Sequence, residues 1–219
     1  SAVQSVFLKA LQDKSWYVRA EAVDAIEIDK FSNKAQLSLA FQNIINTDVS
    51  SDVRDNAVRR ISKLEKDKSI GIYENVINKD SSYKTISTAL NNLKVYNKSK
   101  AYSYAVKLSS TDNPELMMAI CKIFKDTTAD NLEFFKKAIW LNTARTFYSN
   151  FRMFGEYLEN ANPNILEKSI LFLKDIYMYE ESSYNTQGAL QVIRNLKYYF
   201  TERAKRDKQA ELKLQIINK

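Results

Sequence analysis

The chain has 219 residues, of which 45% are hydrophobic, and a formal net charge of +7 at pH 7. With only 3 Gly and 2 Pro it lacks the residues that the many tight turns of a β-sandwich or barrel require, so the composition favours helices. The absence of His excludes His-ligated zinc, a Ser-His or Cys-His nucleophile pair and imidazole acid-base chemistry within these residues.

A sequence repeat occupies the first part of the chain. Residues 10–26 match residues 45–61 at an offset of 35, and five positions coincide in character. The coincident pairs are Asp13 with Asp48, Val18 with Val53, Arg19 with Arg54, Ala22 with Ala57, and Ile26 with Ile61. Because the apolar residues recur at helical spacing, each unit has a face that it cannot bury alone. The pattern predicts helix pairs that pack on one another.

Two residue types in the repeat have a predicted structural role. Asp13 and Asp48 fall in the turn between the two helices of a unit, where a short acceptor can cap free backbone N–H groups. Ala22 and Ala57 lie where neighbouring helices cross closely. Three more divergent units follow at residues 76–93, 112–123 and 162–173, and the first of these has lost the arginine.

We therefore predict an all-α fold over residues 1–219, of the right-handed α-α superhelix type: a HEAT/armadillo-like solenoid of antiparallel helix pairs. Clear repeats are expected over about residues 1–95, degenerate repeats over about 96–195, and a basic capping helix over about 190–219. No apolar run approaches the roughly 18 residues of a membrane span. The chain begins without Met in a helical pattern, so we expect a fragment of a longer protein.

Aromatic residues concentrate between positions 131 and 157, where Arg145 and Arg152 are spaced seven apart. Seven residues make two helical turns, so both guanidinium groups should share a face with Tyr148 between them. Such a face could hold a peptide carboxylate or a phosphate. The alternative is that the aromatic residues form core and the arginine stems lie along it, because aromatic stripes at helical spacing usually pack.

The charge is unevenly distributed along the chain. Residues 197–219 carry seven basic and three acidic side chains, whereas the preceding 196 residues carry 26 and 23. The nearly balanced body argues against nucleic acid as a partner and favours a solvated surface. The basic C-terminal segment is predicted to cap the last repeat, and the alternative is docking on an acidic partner or a phosphate backbone.

The remaining candidate residues point to no site. Cys121 lies in an apolar segment and is predicted to be a small core residue, since nothing near it in sequence would lower its thiol pKa. A HEAT-like DNA glycosylase would use Trp, Tyr and Asp in a cleft, but the two tryptophans, Trp16 and Trp140, have no sequence context that places them in one.

The Asp and Val-Arg positions resemble the HEAT repeat, in which such residues form a ladder of hydrogen bonds between successive units. Asp13, Arg19, Asp48 and Arg54 would be the ladder residues. With Trp16 between the turn and the Val-Arg pair, the first unit is similar to the HEAT-like C-terminal region in a bacterial branch of the aminopeptidase N family of zinc metallopeptidases. The resemblance covers about the first 60 residues.

The resemblance implies a non-catalytic domain that packs on an upstream catalytic domain of the same protein and limits which peptide substrates enter. Zinc and the His-Glu-x-x-His motif of that family would lie upstream, because this chain contains no His. No catalytic, metal or cofactor residue is therefore expected here. The alternative is a free-standing HEAT scaffold that binds protein or nucleic acid. The compartment stays open between cytoplasm and periplasm, since a single Cys is compatible with both.

Overall fold

The structure is a computed structural model that describes residues 2–141, 143, 146–179 and 183–219. Every regular element in these ranges is a helix, which confirms the all-α prediction. The chain divides into two compact units, Ser1–Val106 and Lys107–Lys219. None of the helices in the described ranges is both long enough and apolar enough to cross a membrane.

The first unit consists of helix pairs joined by short turns, with α8 crossing its boundary. The α-helices are α1 (Ala2–Ala10), α2 (Trp16–Ala25), α3 (Lys34–Thr47), α4 (Ser51–Arg60), α5 (Ser62–Glu65), α6 (Ser69–Lys79), α7 (Tyr83–Tyr96) and α8 (Lys98–Leu108). Short 3-10 helices occupy Ile28–Lys30 and Lys66–Lys68. The second helices of the three repeats are α2, α4 and α7, and α4 packs against both of the others.

The turn before each second helix has the same construction in the three repeats. An Asp carboxylate accepts a hydrogen bond from the backbone N–H of a Ser two residues further on, which is an Asx-turn. The pairs are Asp13 with Ser15 at 2.8 Å, Asp48 with Ser50 at 2.9 Å, and Asp80 with Ser82 at 2.7 Å. This bond orients the carboxylate and fixes where the second helix begins.

An arginine in the second helix joins each of the first two repeats to the next one. Arg19 donates to the carboxylate of Asp48 from Nε at 2.6 Å and from Nη2 at 2.8 Å. Its Nη1 donates to the backbone carbonyl of Asp13 at 2.8 Å. Arg54 repeats the arrangement, with two bonds of 2.8 Å to the Asp80 carboxylate and one of 2.8 Å to the carbonyl of Asp48. Each arginine thus connects its own turn to the following turn.

The third repeat is attached without an arginine. Ile86 occupies the equivalent position and is buried. Instead, Lys84 of α7 donates to Asp52 of α4 at 2.5 Å, and the Thr88 hydroxyl donates to the fully buried carboxylate of Asp55. The contact between α4 and α7 therefore keeps a polar link after the ladder has ended.

The ladder carboxyls are nearly inaccessible to water. Only 6% of the Asp48 side chain and 5% of the Asp80 side chain are exposed. Burial alone would raise the pKa of each, but the hydrogen bonds from the arginine and from the backbone N–H of the turn outweigh it. The pKa of both carboxyls therefore lies below the ordinary value of 3.8. Both groups stay charged inside the interface, where the guanidinium is the compensating charge.

The second unit contains the remaining helices. These are α9 (Pro114–Phe124), α10 (Leu132–Trp140), α11 (Phe147–Asn160), α12 (Pro163–Tyr179), α13 (Ser183–Ala204) and α14 (Lys208–Asn218). α9 and α12 each begin at a proline, whose missing N–H has no helical partner to lose. The preceding Asn113 and Asn162 accept bonds from backbone N–H groups of the first turn. The apolar residues of the fourth and fifth repeats are buried: Leu116, Ala119, Ile120, Ile123, Leu166, Ile170 and Leu173.

The end of the chain differs from the single basic capping helix expected over about residues 190–219. The structure has two helices, α13 and α14, and they pack against each other. The break lies at Asp207, whose side chain accepts a 2.8 Å hydrogen bond from the backbone N–H of Gln209. An Asp at this position is a strong helix-start signal, and the amphipathic pattern continued across it.

Replacing Arg54 by Leu should leave the buried Asp80 carboxylate without its compensating charge. We expect R54L to lower the free energy of unfolding by about 3–5 kcal/mol at pH 7, measured by urea denaturation. Because the ladder stabilises the fold only while Asp80 is ionised, the difference from the unmodified chain should shrink as the pH falls below 3.8.

The matched control is Lys30→Gln, which removes an ion pair with Glu27 in which both side chains are more than half exposed. It should leave the denaturation midpoint unchanged, because exposed ion pairs contribute little. An R54L chain as stable as the K30Q chain would contradict the structural role of the ladder.

Candidate binding groove

A groove of about 570 Å³ lies between α11 and α13 in the second unit. Two of the three binding residues predicted from sequence, Tyr148 and Arg152, line it. The third, Arg145, lies outside the described residues. The groove therefore contains the two described residues of the predicted binding face, Tyr148 and Arg152.

Two glycines, Gly155 and Gly188, line the groove, and one of them lets its helices approach closely. A Cβ added to Gly188 would lie 2.5 Å from the ring of Phe151, so only hydrogen fits at this position. Gly155 faces Val192, where an added Cβ would make an ordinary contact at 3.6 Å. α11 and α13 therefore approach each other closely at Gly188.

One wall of the groove carries a row of side-chain amides on α13. Gln187, Gln191 and Asn195 are spaced by four residues and share a helix face. Gln191 donates to the Asn195 side chain at 2.7 Å. An amide has both donors and an acceptor, as a peptide backbone does, so this wall is chemically suited to an extended peptide.

The opposite wall, on α11, holds the charged residues. Arg152 donates from Nη1 to Glu156 at 2.7 Å, and 66% of its side chain is exposed. The other carboxylate oxygen of Glu156 lies 2.7 Å from Nζ of Lys125. Tyr148 is 74% exposed. The guanidinium that was expected to face a ligand therefore already contacts a carboxylate one turn away, and an incoming anion would compete with Glu156.

The other aromatic residues of this segment are mostly core. Buried rings are contributed by Phe134, Phe135, Phe147, Phe151, Phe154 and Tyr157. Phe135 stacks on Phe154 with ring centroids 5.4 Å apart and on Tyr157 at 4.8 Å. The alternative interpretation, that the aromatic residues pack, therefore describes these positions. Trp140 and Tyr148 are the exposed exceptions in the segment.

A cluster that the sequence did not indicate lies at the Glu159 end of the groove. Burial raises the pKa of Glu159 above its ordinary 4.5, and a hydrogen bond with Tyr199 partly opposes this. The guanidinium of Arg203 lies 4.0 Å from the centre of the Tyr199 ring. Lys213 donates to the backbone carbonyl of Glu159 at 3.1 Å. These residues come from three helices, so no local spacing in the sequence connects them.

The remaining sequence candidates are placed as follows. Cys121 is fully buried, and burial raises the pKa of its thiol far above the ordinary value, which makes it unreactive. Trp16 lies in the first unit and Trp140 in the second, each about half exposed. Among the described residues, no group of three or more potential His, Cys, Asp or Glu ligands could hold a metal ion.

The close approach at Gly188 gives a prediction about helix packing. Gly188→Ala should destabilise the chain by about 1–3 kcal/mol, because the new methyl group overlaps the Phe151 ring. In the control, Gly71→Ala on α6, an added Cβ meets nothing within 4 Å and should stabilise by about 0.5–1 kcal/mol. Thermal unfolding by circular dichroism measures both. Equal effects of the two substitutions would show that α11 and α13 do not pack as described.

The Glu159 cluster gives a prediction about pH. A carboxyl whose pKa is raised by folding opposes stability once the pH exceeds that pKa, because its charged form is disfavoured in the folded chain. Glu159→Gln should therefore unfold at a higher temperature than the unmodified chain at pH 7, and the gain should vanish as the pH falls below 4.5. The exposed Glu133 provides the control variant Glu133→Gln, for which no such pH-dependent gain is expected. A gain that is independent of pH would contradict the assigned burial.

No family model, curated protein or solved structure matches this chain. The resemblance of the segment from Asp13 to Arg19 to the aminopeptidase N family therefore rests on that short signature alone.

Proposed function

We propose that this chain is a non-catalytic HEAT-like domain of a zinc-dependent aminopeptidase. In this proposal its helix pairs form a right-handed superhelix that packs on the catalytic domain, covers it and shapes the access of peptides. The main observation behind the proposal is the ladder in which Arg19 and Arg54 hold Asp48 and Asp80, since Arg19 belongs to the segment from Asp13 to Arg19 that resembles the family.

The roles of the signature residues support a packing domain. Asp13 closes the turn through Ser15, and Arg19 is used to hold the next repeat. Trp16 and Tyr17 take no part in the ladder and are 49% and 60% exposed. Asp13 and Arg19 thus have structural roles, and the aromatic pair of the first repeat is available for contact with another surface.

The groove supports a role in admitting peptides. Its amide wall offers paired donors and acceptors to a peptide backbone, while Arg152 provides a cation at its rim. The one thiol of the chain, Cys121, is buried elsewhere in the unit. Binding and orientation of a chain are therefore the chemistry that this surface supports.

The second candidate is a free-standing repeat scaffold that binds protein or nucleic acid. The net charge of +7 favours it. Several C-terminal cations, however, have partners within the unit: Lys205 with Glu202, Arg203 with the Tyr199 ring, and Lys213 with a backbone carbonyl. Cations engaged in this way are less available to phosphates, so the first proposal is preferred.

The proposed function predicts that the 219-residue chain hydrolyses no aminoacyl reporter, such as leucyl-p-nitroanilide, even with Zn²⁺ supplied, because it has no His to bind the metal. It also predicts that the gene encodes a His-Glu-x-x-His motif upstream in the same reading frame. A frame that encodes these repeats without that motif would refute the peptidase assignment.

A binding experiment tests the second candidate. Fluorescence anisotropy with labelled duplex DNA and RNA at about 50 mM salt detects non-specific electrostatic binding where it is strongest. Affinity that falls steeply as salt is added would favour the scaffold over the peptidase domain. No binding under these conditions would eliminate its nucleic-acid version.

A further inference from the structure

Equivalent positions in the three repeats differ in their exposure. Val18, Val53 and Thr85 align at offsets of 35 and 32 residues. Val53 and Thr85 are completely buried, whereas Val18 is 39% exposed. Val53 lies on α4, which α2 covers, and Thr85 lies on α7, which α4 covers. In the first repeat Val18 occupies this position. Among the described residues, no second helix of a preceding repeat covers it.

The same asymmetry extends over one face of α2. Asn56 of α4 donates to Asp24 of α2 at 2.8 Å, and Thr88 of α7 donates to Asp55 of α4. The α2 residue that aligns with Asn56 and Thr88 is Glu21, which is exposed. We use the name open face of α2 for the exposed residues of this helix and of the turn before it that align with these interface positions. They are Asp13, Tyr17, Val18, Glu21 and Ala25.

Asp13 is the polar centre of the open face. Asp48 and Asp80 each accept two hydrogen bonds from the arginine of the preceding repeat. Asp13 has the same turn, and its carboxylate is held by Ser15 in the same orientation. Within the described residues, no arginine side chain donates to that carboxylate. A carboxylate oriented in this way binds an arginine at Asp48 and again at Asp80. The same arrangement occurs at Asp13, where it lies on an exposed surface.

We propose that the open face is a docking surface for one more repeat of this type, whose second helix supplies an arginine to Asp13 and apolar side chains to Val18. Charge complementarity supports this occupant, because Asp13 and Glu21 make the face acidic on a chain of net charge +7. A second copy of the chain fits less well, since Arg19 and Arg54 are engaged and Ile86 replaces the third arginine. The inference goes beyond the proposed function and holds for a peptidase domain and a scaffold alike.

An extended chain tests the proposal. A second copy of residues 2–33, inserted directly before Ala2, places its arginine 26 residues before Asp13, which is the separation of Arg54 and Asp80. One repeat cannot bury its apolar face alone, so the copy should become helical only if it docks. We expect the helical circular dichroism signal and the unfolding temperature both to rise.

The Asp13→Asn substitution identifies the contact, because Asn keeps the turn to Ser15 but loses the charge. It should barely change the unfolding temperature of the 219-residue chain. In the extended chain it should lower that temperature by about as much as Asp48→Asn does in the 219-residue chain. Replacing the copied arginine by Leu should remove this sensitivity, which is the control for a specific pair.

Two results would overturn the proposal. One is an extended chain that gains no helical signal, or in which Asp13→Asn has the same small effect as in the 219-residue chain. The other is a 219-residue chain that dimerises in solution, by light scattering, in a manner abolished by Val18→Asp. That outcome would assign the open face to a second copy instead of an arginine-bearing repeat.

Discussion

The first unit depends on a buried two-bond contact between an arginine and an aspartate of the next repeat. The aspartate is oriented by a backbone N–H of its own turn, so the guanidinium meets a carboxylate that is already in place. The same guanidinium also binds the carbonyl of its own turn. A lysine could not make these contacts together, because its single ammonium lacks the planar fork of donors. One side chain therefore fixes the spacing between two turns.

The second unit achieves order by a different physical means. Its interior is aromatic: the rings of Phe135, Phe154 and Tyr157 stack on one another in a cluster. Its helices approach where Gly188 leaves room for Phe151. Packing of this kind tolerates divergence of the turn residues, because shape and volume carry the stability instead of a charged pair. This explains how the repeat pattern can fade after the third repeat while the chain remains helical.

The sequence predicts those features that recur locally and fails for those made by distant residues. The helical class followed from the composition and from a repeat with a fixed offset. The ladder role of Asp48 and Arg19 followed from the resemblance of that repeat to the HEAT repeat. The approach of Glu159 to Tyr199 joins helices with no common motif, and it was not foreseen. Arg152 lines the groove, but its pairing with Glu156 depends on side-chain geometry that spacing alone leaves open. The break at Asp207 had a signal, an N-cap residue, which the amphipathic pattern outweighed.

The outer faces of α2 and α14 differ in the residues that they expose. A terminal repeat that stays in water needs a polar outer face. α14 buries Ile216 and Ile217 and exposes Lys208 and Glu211, although its Leu212 is also 43% exposed. α2 instead exposes an apolar position and an oriented carboxylate that its sister repeats bury. Because the equivalent residues are covered or bonded twice within this chain, the surface of α2 has the properties of an interface.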